Sequence, residues 1–236
     1  MDKSAPVLYK VKDLDGDERF QDLHPNLPRP PSCCVLVGSI KSGKSNTVIN
    51  MLMREDMYKG RFDVVRVLST TLHMDKKMQL LDKYFHCSDH YEDAYIDSII
   101  KSQGQYQKDD PNRPKYCLVM DDILSPEFNK RNSALSLFIV KMRHYIDLCI
   151  ISVQSINHIP PLIRAQTRDL IIAKQQNHKE VIKLMEQYGG LLGENGDKKF
   201  IQLYNQVHKD QMYQLMYLKL SENPIHIFKN FNERIF

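Results

Sequence analysis

Residues 38–45 read Gly-Ser-Ile-Lys-Ser-Gly-Lys-Ser, a spacing that can hold the phosphates of a nucleotide. The glycines let the backbone turn tightly, so that its N–H groups can approach phosphate oxygens. Lys44 can reach the β- and γ-phosphates, and the Ser45 hydroxyl can ligate Mg²⁺. We therefore predict that ATP with Mg²⁺ binds here. The predicted nucleotide-binding residues are Gly38, Ser39, Ile40, Lys41, Ser42, Gly43, Lys44, Ser45 and Asn46.

The flanking residues favour a phosphate-binding P-loop over an ordinary turn rich in Gly and Ser. Residues 33–37 form a short apolar run typical of a buried strand, and residues 46–53 continue as a plausible helix. The N-terminus of such a helix faces the phosphates with the positive end of its dipole. Strand, loop, lysine and helix therefore agree with one another.

A second apolar run ends in two acids and supplies the other half of a nucleotide site. Residues 116–120 are followed by Asp121 and Asp122. A carboxylate after such a strand holds Mg²⁺ in P-loop enzymes, so Asp121 is the predicted metal residue together with Ser45. Asp122 is the predicted catalytic residue that polarises the attacking water. The alternative is that Asp122 only caps the turn after the strand.

A polar residue also ends the next predicted strand, over 148–153. Gln154 can contact the γ-phosphate or its water, because strand ends at this edge of an α/β sheet line the ligand crevice. Gln175 and Gln176, which follow the predicted strand 169–173, are alternatives for that role.

Positive charge on the transferring phosphoryl group can be supplied by an arginine from a neighbouring subunit. Arg143 ends the helix that precedes strand 148–153, and it is the candidate we favour. Arg164 and Arg168 are weaker candidates. Each arginine could instead be a solvated cation at a helix end.

The bulk composition permits one sizeable α/β domain. The chain has 236 residues, 42% of them hydrophobic, and a formal net charge of +4, which allows a polyanionic partner without demanding one. The cysteines have no metal-like spacing, and four of the five lie in apolar runs, so we expect reduced core residues. We expect no membrane span and no secretory signal.

Strands alternate with helices along the chain, which predicts a mostly parallel β-sheet flanked by helices on both faces, with a C-terminal pair of short antiparallel strands. The predicted strands cover 33–37, 62–68, 116–120, 148–153, 169–173, 214–220 and 225–229. The predicted helices cover 46–53, 74–86, 92–103, 133–145, 177–188 and 197–208. We predict an N-terminal arm over 1–31 and a P-loop ATPase domain over 32–236.

Together these motifs resemble the poxvirus-type DNA-packaging ATPases of large DNA viruses and their smaller relatives, within the FtsK–HerA superfamily of P-loop NTPases. The matching segments are GSIKSGKS, YCLVMDDI, MRHYIDLCIISVQS, IPPLIRAQTRDLIIA and QLMYLKLSENPIHIFKNF. The resemblance covers about residues 30–232, and its specific part runs from Asp121 to Arg164.

The resemblance implies an oligomeric ring motor that hydrolyses ATP to move double-stranded DNA into a viral capsid. It carries Lys44, Ser45, Asp121, Asp122 and Gln154 over directly, with Arg143 serving a neighbour's site. DNA would be gripped at its phosphates, without sequence readout. We expect the host cytoplasm, a viral factory or the virion as the location, and capsid or membrane proteins as further partners. The basic candidates for DNA contact are Lys76 with Lys77, Lys108 with Arg113, and Lys130 with Arg131.

Three other functions remain open from the sequence. A cellular DNA translocase or helicase of the same superfamily would share every ATP-site residue. A small-molecule kinase or a GTPase is a further alternative, but we find neither an arginine-rich lid nor a guanine-reading Asn-Lys-x-Asp motif. A scaffold that binds nucleotide without hydrolysis would not need the acid pair.

Overall fold

A nine-stranded β-sheet runs through the computed structural model, which describes residues 18–107, 110–123, 133–209 and 213–236. The strands are β1 Ser32–Val37, β2 Val64–Ser69, β3 His86–Ser88, β4 Tyr116–Asp121, β5 Leu148–Val153, β6 Asp169–Ala173, β7 Leu215–Lys219, β8 His226–Lys229 and β9 Glu233–Arg234. The α-helices are α1 Lys44–Met53, α2 Lys76–Asp82, α3 Asp93–Gln103, α4 Ala134–Lys141, α5 Pro161–Gln166, α6 His178–Tyr188 and α7 Gly196–His208. Short 3₁₀ turns lie at Glu18–Phe20, Met142–His144, Ile156–His158 and Gly189–Leu192.

The strand order is β3-β2-β4-β5-β1-β6-β7-β8-β9. All pairs from β3 to β6 are parallel, and β7, β8 and β9 add to β6 as antiparallel neighbours. The predicted fold class is therefore confirmed. The predicted antiparallel pair is also present, and the two-residue β9 extends it by one strand.

One predicted helix was wrong in its second half. Residues 74–86 were expected to be helical throughout, but α2 begins after Asp75, whose side chain accepts a hydrogen bond from the N–H of Lys77 at 2.8 Å. The helix ends at Asp82, and His86–Ser88 instead pairs in parallel with β2 as the edge strand β3. A three-residue edge strand is too short to show an alternating pattern that would separate it from a helix.

The two faces of the sheet bury two separate sets of apolar side chains, because successive residues of a strand point to opposite faces. On β1, Cys33, Val35 and Val37 pack with residues of α3 to α7, whereas Cys34 and Leu36 pack with α1 and α2. Cys33, Cys34, Cys117 and Cys149 are buried in this core, as expected, and Cys87 is partly buried.

The described part of the N-terminal arm packs against the α1 side of the sheet. Phe20, Leu23 and Leu27 are buried with that set of core residues. The Tyr58 hydroxyl donates a hydrogen bond to the Pro28 carbonyl. Residues 1–17 lie outside the described residues, and the domain boundary at residue 31 stays a prediction.

Candidate functional site

The loop between β1 and α1 wraps around the end of β1 and forms one wall of a cavity of about 520 Å³. The Lys44 Nζ donates to the Gly38 carbonyl at 2.8 Å and lies 3.4 Å from the Ser39 carbonyl. Gly43 has φ +101, which favours glycine. A Cβ on Gly38 would lie 2.7 Å from the Ala173 Cβ, which cannot rotate away. Both glycines of the motif are therefore required by the geometry of the loop.

Residues 39–45 line the cavity. Gly38 does not line it, and neither does Asn46, which is exposed on the first turn of α1. The loop is held from the side of β6: the Ser39 Oγ donates to the Gln175 Oε1 at 3.0 Å and accepts from the Gln176 N–H at 2.8 Å. These two glutamines support the P-loop, so the alternative role that the sequence allowed them at the γ-phosphate is disfavoured.

The predicted acid pair forms the opposite wall. Asp121 is the last residue of β4 and is 3% exposed, and its Oδ1 has no hydrogen-bond partner among the described residues. Burial in a poorly solvated site raises the pKa of the Asp121 carboxyl. A buried carboxylate oxygen without a partner is costly in a fold but suits a bound cation or an ordered water.

Asp122 has a left-handed backbone conformation that is held by hydrogen bonds to its neighbours. Its φ is +48, its N–H donates to the Ser152 carbonyl at 2.9 Å, and its own carbonyl accepts from the Thr70 hydroxyl at 3.1 Å. Because non-glycine residues in this conformation carry strain, the surrounding bonds fix where the side chain points. The carboxylate lines the cavity beside Asp121.

Gln154 follows β5 and reaches the same wall. Its Nε2 donates to the Asp122 Oδ2 at 3.3 Å, and its side chain lines the cavity. Lys44, Asp121, Asp122 and Gln154 are therefore brought together around one space, as the sequence argument expected. Their individual catalytic roles stay predictions.

No family model matches the chain, and no curated protein matches it by sequence. Solved structures do resemble it. The crystal structure of B204, described as the DNA-packaging ATPase from Sulfolobus turreted icosahedral virus, aligns with a TM-score of 0.56 and 15% identity over 86% of this chain and 99% of B204. B204 from Sulfolobus turreted icosahedral virus 2, in complex with AMP, aligns with a TM-score of 0.56 and 16% identity over 84% of this chain and 97% of that one.

The chain has the fold of the viral packaging ATPases. The resemblance that the sequence indicated is thus confirmed at the level of the fold. EssC (ATPases 2 and 3) from Geobacillus thermodenitrificans shares the fold less completely, with a TM-score of 0.51 and 12% identity over 65% of this chain and 34% of EssC.

Arg143 lies at the other edge of this packaging-ATPase fold. It is exposed on the 3₁₀ turn Met142–His144, ahead of β5, and lines a smaller cavity of about 210 Å³ with Pro31 and Arg168. The P-loop and the acid pair lie at the carboxyl ends of the parallel strands, so Arg143 is not part of the cavity that they form. An action on a neighbour's site stays a prediction.

The two weaker arginine candidates make contacts within the chain. The Arg164 Nη1 donates to the Gln187 Oε1 at 2.9 Å, and the Arg168 Nη1 donates to the Pro31 carbonyl at 3.0 Å. These bonds link α5 to α6 and the start of β6 to the start of β1. Both arginines therefore have a structural role.

One predicted DNA contact was wrong. Arg113 is 2% exposed, and its Nη2 lies 3.2 Å from the Asp147 Oδ1, so it is an internal ion pair rather than a loop cation. Lys76 and Lys77 are exposed on α2. Lys108, Lys130 and Arg131 lie outside the described residues.

The cavity also has lining residues that the sequence argument missed. They come from the loop and helix after β2 and from the segment before β7: Thr71, Met74, Asp75, Lys77 and Tyr213. The β2 loop could have been found, because β2 neighbours β4 and its carboxyl end must lie at the same edge. Tyr213 could not, because nothing near it in the sequence marks it as close to residue 43.

The oxygen donors at this site fit Mg²⁺. The Asp121 carboxylate and the Ser45 hydroxyl are hard ligands, and Mg²⁺ is normally held by one or two protein groups plus phosphates and waters. In the described ranges, no group of three or more His, Cys, Asp or Glu side chains could hold a metal ion by itself. Within the same ranges, no helix is long and apolar enough to cross a membrane.

Proposed function

We propose that the chain is an ATP-hydrolysing motor that moves double-stranded DNA into a viral capsid. The observation that carries the proposal is the convergence of Lys44, Asp121, Asp122 and Gln154 on one cavity. The fold that holds them aligns with nearly the whole length of B204, which is described as a DNA-packaging ATPase. This likeness supports the packaging proposal.

In this proposal the P-loop residues bind the triphosphate. Backbone N–H groups of the loop and the Lys44 ammonium contact the phosphates, and Ser45 and Asp121 hold Mg²⁺. The metal neutralises charge on the β- and γ-phosphates when it is bound. The low exposure of Lys44 and Asp121 strengthens these interactions, because little water competes for either charge.

Asp122 acts on the attacking water, and Gln154 is held beside it. The 3.3 Å hydrogen bond between the Gln154 Nε2 and the Asp122 Oδ2 couples the two side chains. A water bound between them and the γ-phosphate would lose a proton to Asp122 as it attacks. Because the bond to Gln154 can exchange for a bond to phosphate, Gln154 is suited to report whether the γ-phosphate is present.

The proposal includes a ring of subunits, an arginine in trans and DNA contacts at phosphates. Arg143 is the proposed arginine, since it is exposed at the edge of the sheet away from its own ATP site. Lys76 and Lys77 are the described basic residues proposed to contact DNA. Such contacts are independent of sequence and weaken steeply with salt. The capsid partner and a location in the host cytoplasm, a viral factory or the virion belong to the same proposal.

The test is steady-state ATP hydrolysis with and without long double-stranded DNA, with Mg²⁺ and at two salt concentrations. We expect DNA of any sequence to stimulate hydrolysis and the apparent DNA affinity to fall with salt. Lys44→Ala is the control that should be inactive, because it lacks the ammonium group that contacts the β- and γ-phosphates. Stimulation by a small phosphate acceptor and none by DNA would favour a kinase instead.

A cellular-type translocase would pass the same assay, so a second measurement is needed. Purified empty capsids of the source virus should bind the motor and take up DNA, protecting it from nuclease, only when ATP is hydrolysed. DNA-stimulated hydrolysis with no capsid binding and no protected DNA would support a DNA translocase and reject the packaging function.

A further inference from the structure

Tyr213 is an aromatic side chain at the ATP cavity that no part of the P-loop chemistry accounts for. It is 54% exposed and lines the cavity. Its ring lies directly against the P-loop: a Cβ built on Gly43 would be 3.0 Å from the Tyr213 Cδ1. An apolar ring surface left half open to solvent beside a phosphate loop is available to a planar group.

The sheet order puts Tyr213 at the opposite end of the cavity from the acid pair. Strands β4 and β5, which end in Asp121 and Gln154, lie on one side of β1, and β6 and β7 lie on the other. Because β7 is antiparallel to β6, with Leu215 paired to Ala173, the start of β7 lies at the same edge as the P-loop. A triphosphate whose γ-phosphate faces Asp121 therefore directs its other end towards Tyr213.

Tyr213 has a strained backbone and lies directly before a segment that is held by hydrogen bonds. Its φ is +69, a conformation that is costly for a residue with a large side chain. The start of β7 is held by Asn230, whose Oδ1 accepts from the Leu215 N–H at 3.1 Å and whose Nδ2 donates to the Gln214 Oε1 at 2.8 Å. These bonds hold the two residues that directly follow Tyr213.

We propose that the Tyr213 ring stacks on the nucleobase of the bound nucleotide. The proposal rests on the proposed function, since it names the group that binds the base end of the same ATP site. Stacking on an aromatic face tolerates any base and can contribute about tenfold or more to affinity. The ring therefore distinguishes a nucleoside triphosphate from an inorganic triphosphate rather than one base from another.

The test compares the binding of a non-hydrolysable ATP analogue with that of inorganic triphosphate, both with Mg²⁺. We expect Tyr213→Ala to weaken binding of the analogue about tenfold or more and to leave the affinity for triphosphate within about twofold. Tyr213→Phe should bind both as the natural chain does, because the ring is retained. Tyr84→Ala is the matched control: Tyr84 is 61% exposed and does not line the cavity.

Two results would overturn the proposal. Unchanged binding of the analogue by Tyr213→Ala would mean that the base does not contact the ring. Equal weakening of both ligands would mean that the ring only supports Gly43. The proposed function fails separately: if the natural chain binds the analogue through Tyr213 but shows no DNA-stimulated hydrolysis, the motor is rejected while the stacking stands. If it binds neither ligand, both proposals fall.

Discussion

Carboxylates are buried at both edges of the sheet, but their hydrogen bonding differs between the two edges. At the carboxyl edge, Asp121 is buried with one oxygen that has no partner among the described residues. At the amino edge, Asp147 is 1% exposed and accepts from the Arg19 Nη2 at 2.5 Å, the Arg113 Nη2 at 3.2 Å and the Tyr116 N–H at 2.7 Å. Asp169, also at the amino edge, accepts from the hydroxyls of Ser32 and Tyr217.

This difference separates residues that hold the fold from residues kept ready for a ligand. Donors that engage both oxygens of a buried carboxylate reduce the cost of burying its charge, whereas an oxygen without a donor leaves that cost in place until something binds. Among the described non-glycine residues, positive φ occurs at Lys41, Asp122 and Tyr213, which line the cavity, and at Asn195 and Asn230, which do not. Three of the five strained positions therefore lie where the nucleotide is proposed to bind.

The largest expected effect would come from Arg143, which is proposed to act from the amino edge on a neighbouring subunit's site. If its guanidinium serves a neighbour's ATP site, Arg143→Ala should bind ATP normally and lose about 10³-fold or more in hydrolysis. ATP binding by equilibrium titration and steady-state hydrolysis of assembled rings are the two measurements. A fully active Arg143→Ala protein would reject the role.

Mixed rings provide the control for this arginine. A Lys44→Ala subunit cannot bind the phosphates properly but still presents Arg143 to its neighbour, whose P-loop is intact in the Arg143→Ala chain. Mixing the two inactive proteins should therefore restore part of the hydrolysis. Mixed rings that assemble and stay inactive at every ratio would argue against simple action in trans.

The next effect concerns the two adjacent acids at the carboxyl edge. Asp122→Asn should keep ATP binding and lower the rate of hydrolysis by about 10²- to 10⁴-fold, because the amide cannot accept the proton of the water. Asp121→Asn should instead weaken the Mg²⁺-dependent part of nucleotide binding. Titrations with and without Mg²⁺ separate the two. Normal hydrolysis by Asp122→Asn would make this residue a turn cap.

Substitutions at the amino edge should lower the free energy of unfolding rather than the rate of hydrolysis. Asp147→Ala removes the carboxylate that the buried Arg113 contacts at 3.2 Å, so we expect a loss of about 3–5 kcal/mol in the free energy of unfolding. Chemical denaturation measures it. Asp56→Ala is the control, because the Arg54–Asp56 pair is exposed on both sides and should matter far less. Equal effects of the two substitutions would contradict the assignment of Asp147 as a structural residue.

Residues marked by a local pattern could be predicted from the sequence, whereas contacts between residues far apart in the chain could not. Lys44, Asp121 and Gln154 were found because a local pattern or a strand end marks each of them, and because parallel strands carry their ends to one edge. Arg113 was misread as a loop cation because its partner Asp147 lies 34 residues away. The contact between Tyr213 and Gly43 joins residues that are still further apart in sequence. Pairings of this kind depend on the register between strands, which no short motif encodes.

The smallest expected effect is the pH dependence of stability that Asp169 introduces. Burial raises the pKa of the Asp169 carboxyl, and the hydrogen bonds from Ser32 and Tyr217 offset this only in part. The folded state therefore favours the protonated form. Its contribution to stability is complete below the ordinary carboxyl pKa of about 4 and is lost as the pH rises through the raised pKa.

Asp169→Asn removes this titration while keeping a side chain of the same shape. The free energy of unfolding of the natural chain, minus that of Asp169→Asn, should therefore fall as the pH rises from about 4 towards neutrality. Other groups titrate alike in both proteins and cancel in the difference. Asp97→Asn, on the exposed face of α3, should give a flat difference over the same range. A flat difference for Asp169→Asn as well would mean that the hydrogen bonds from Ser32 and Tyr217 fully offset the burial of the charge. The amino edge would then hold its carboxylates without cost, which would sharpen the contrast with Asp121.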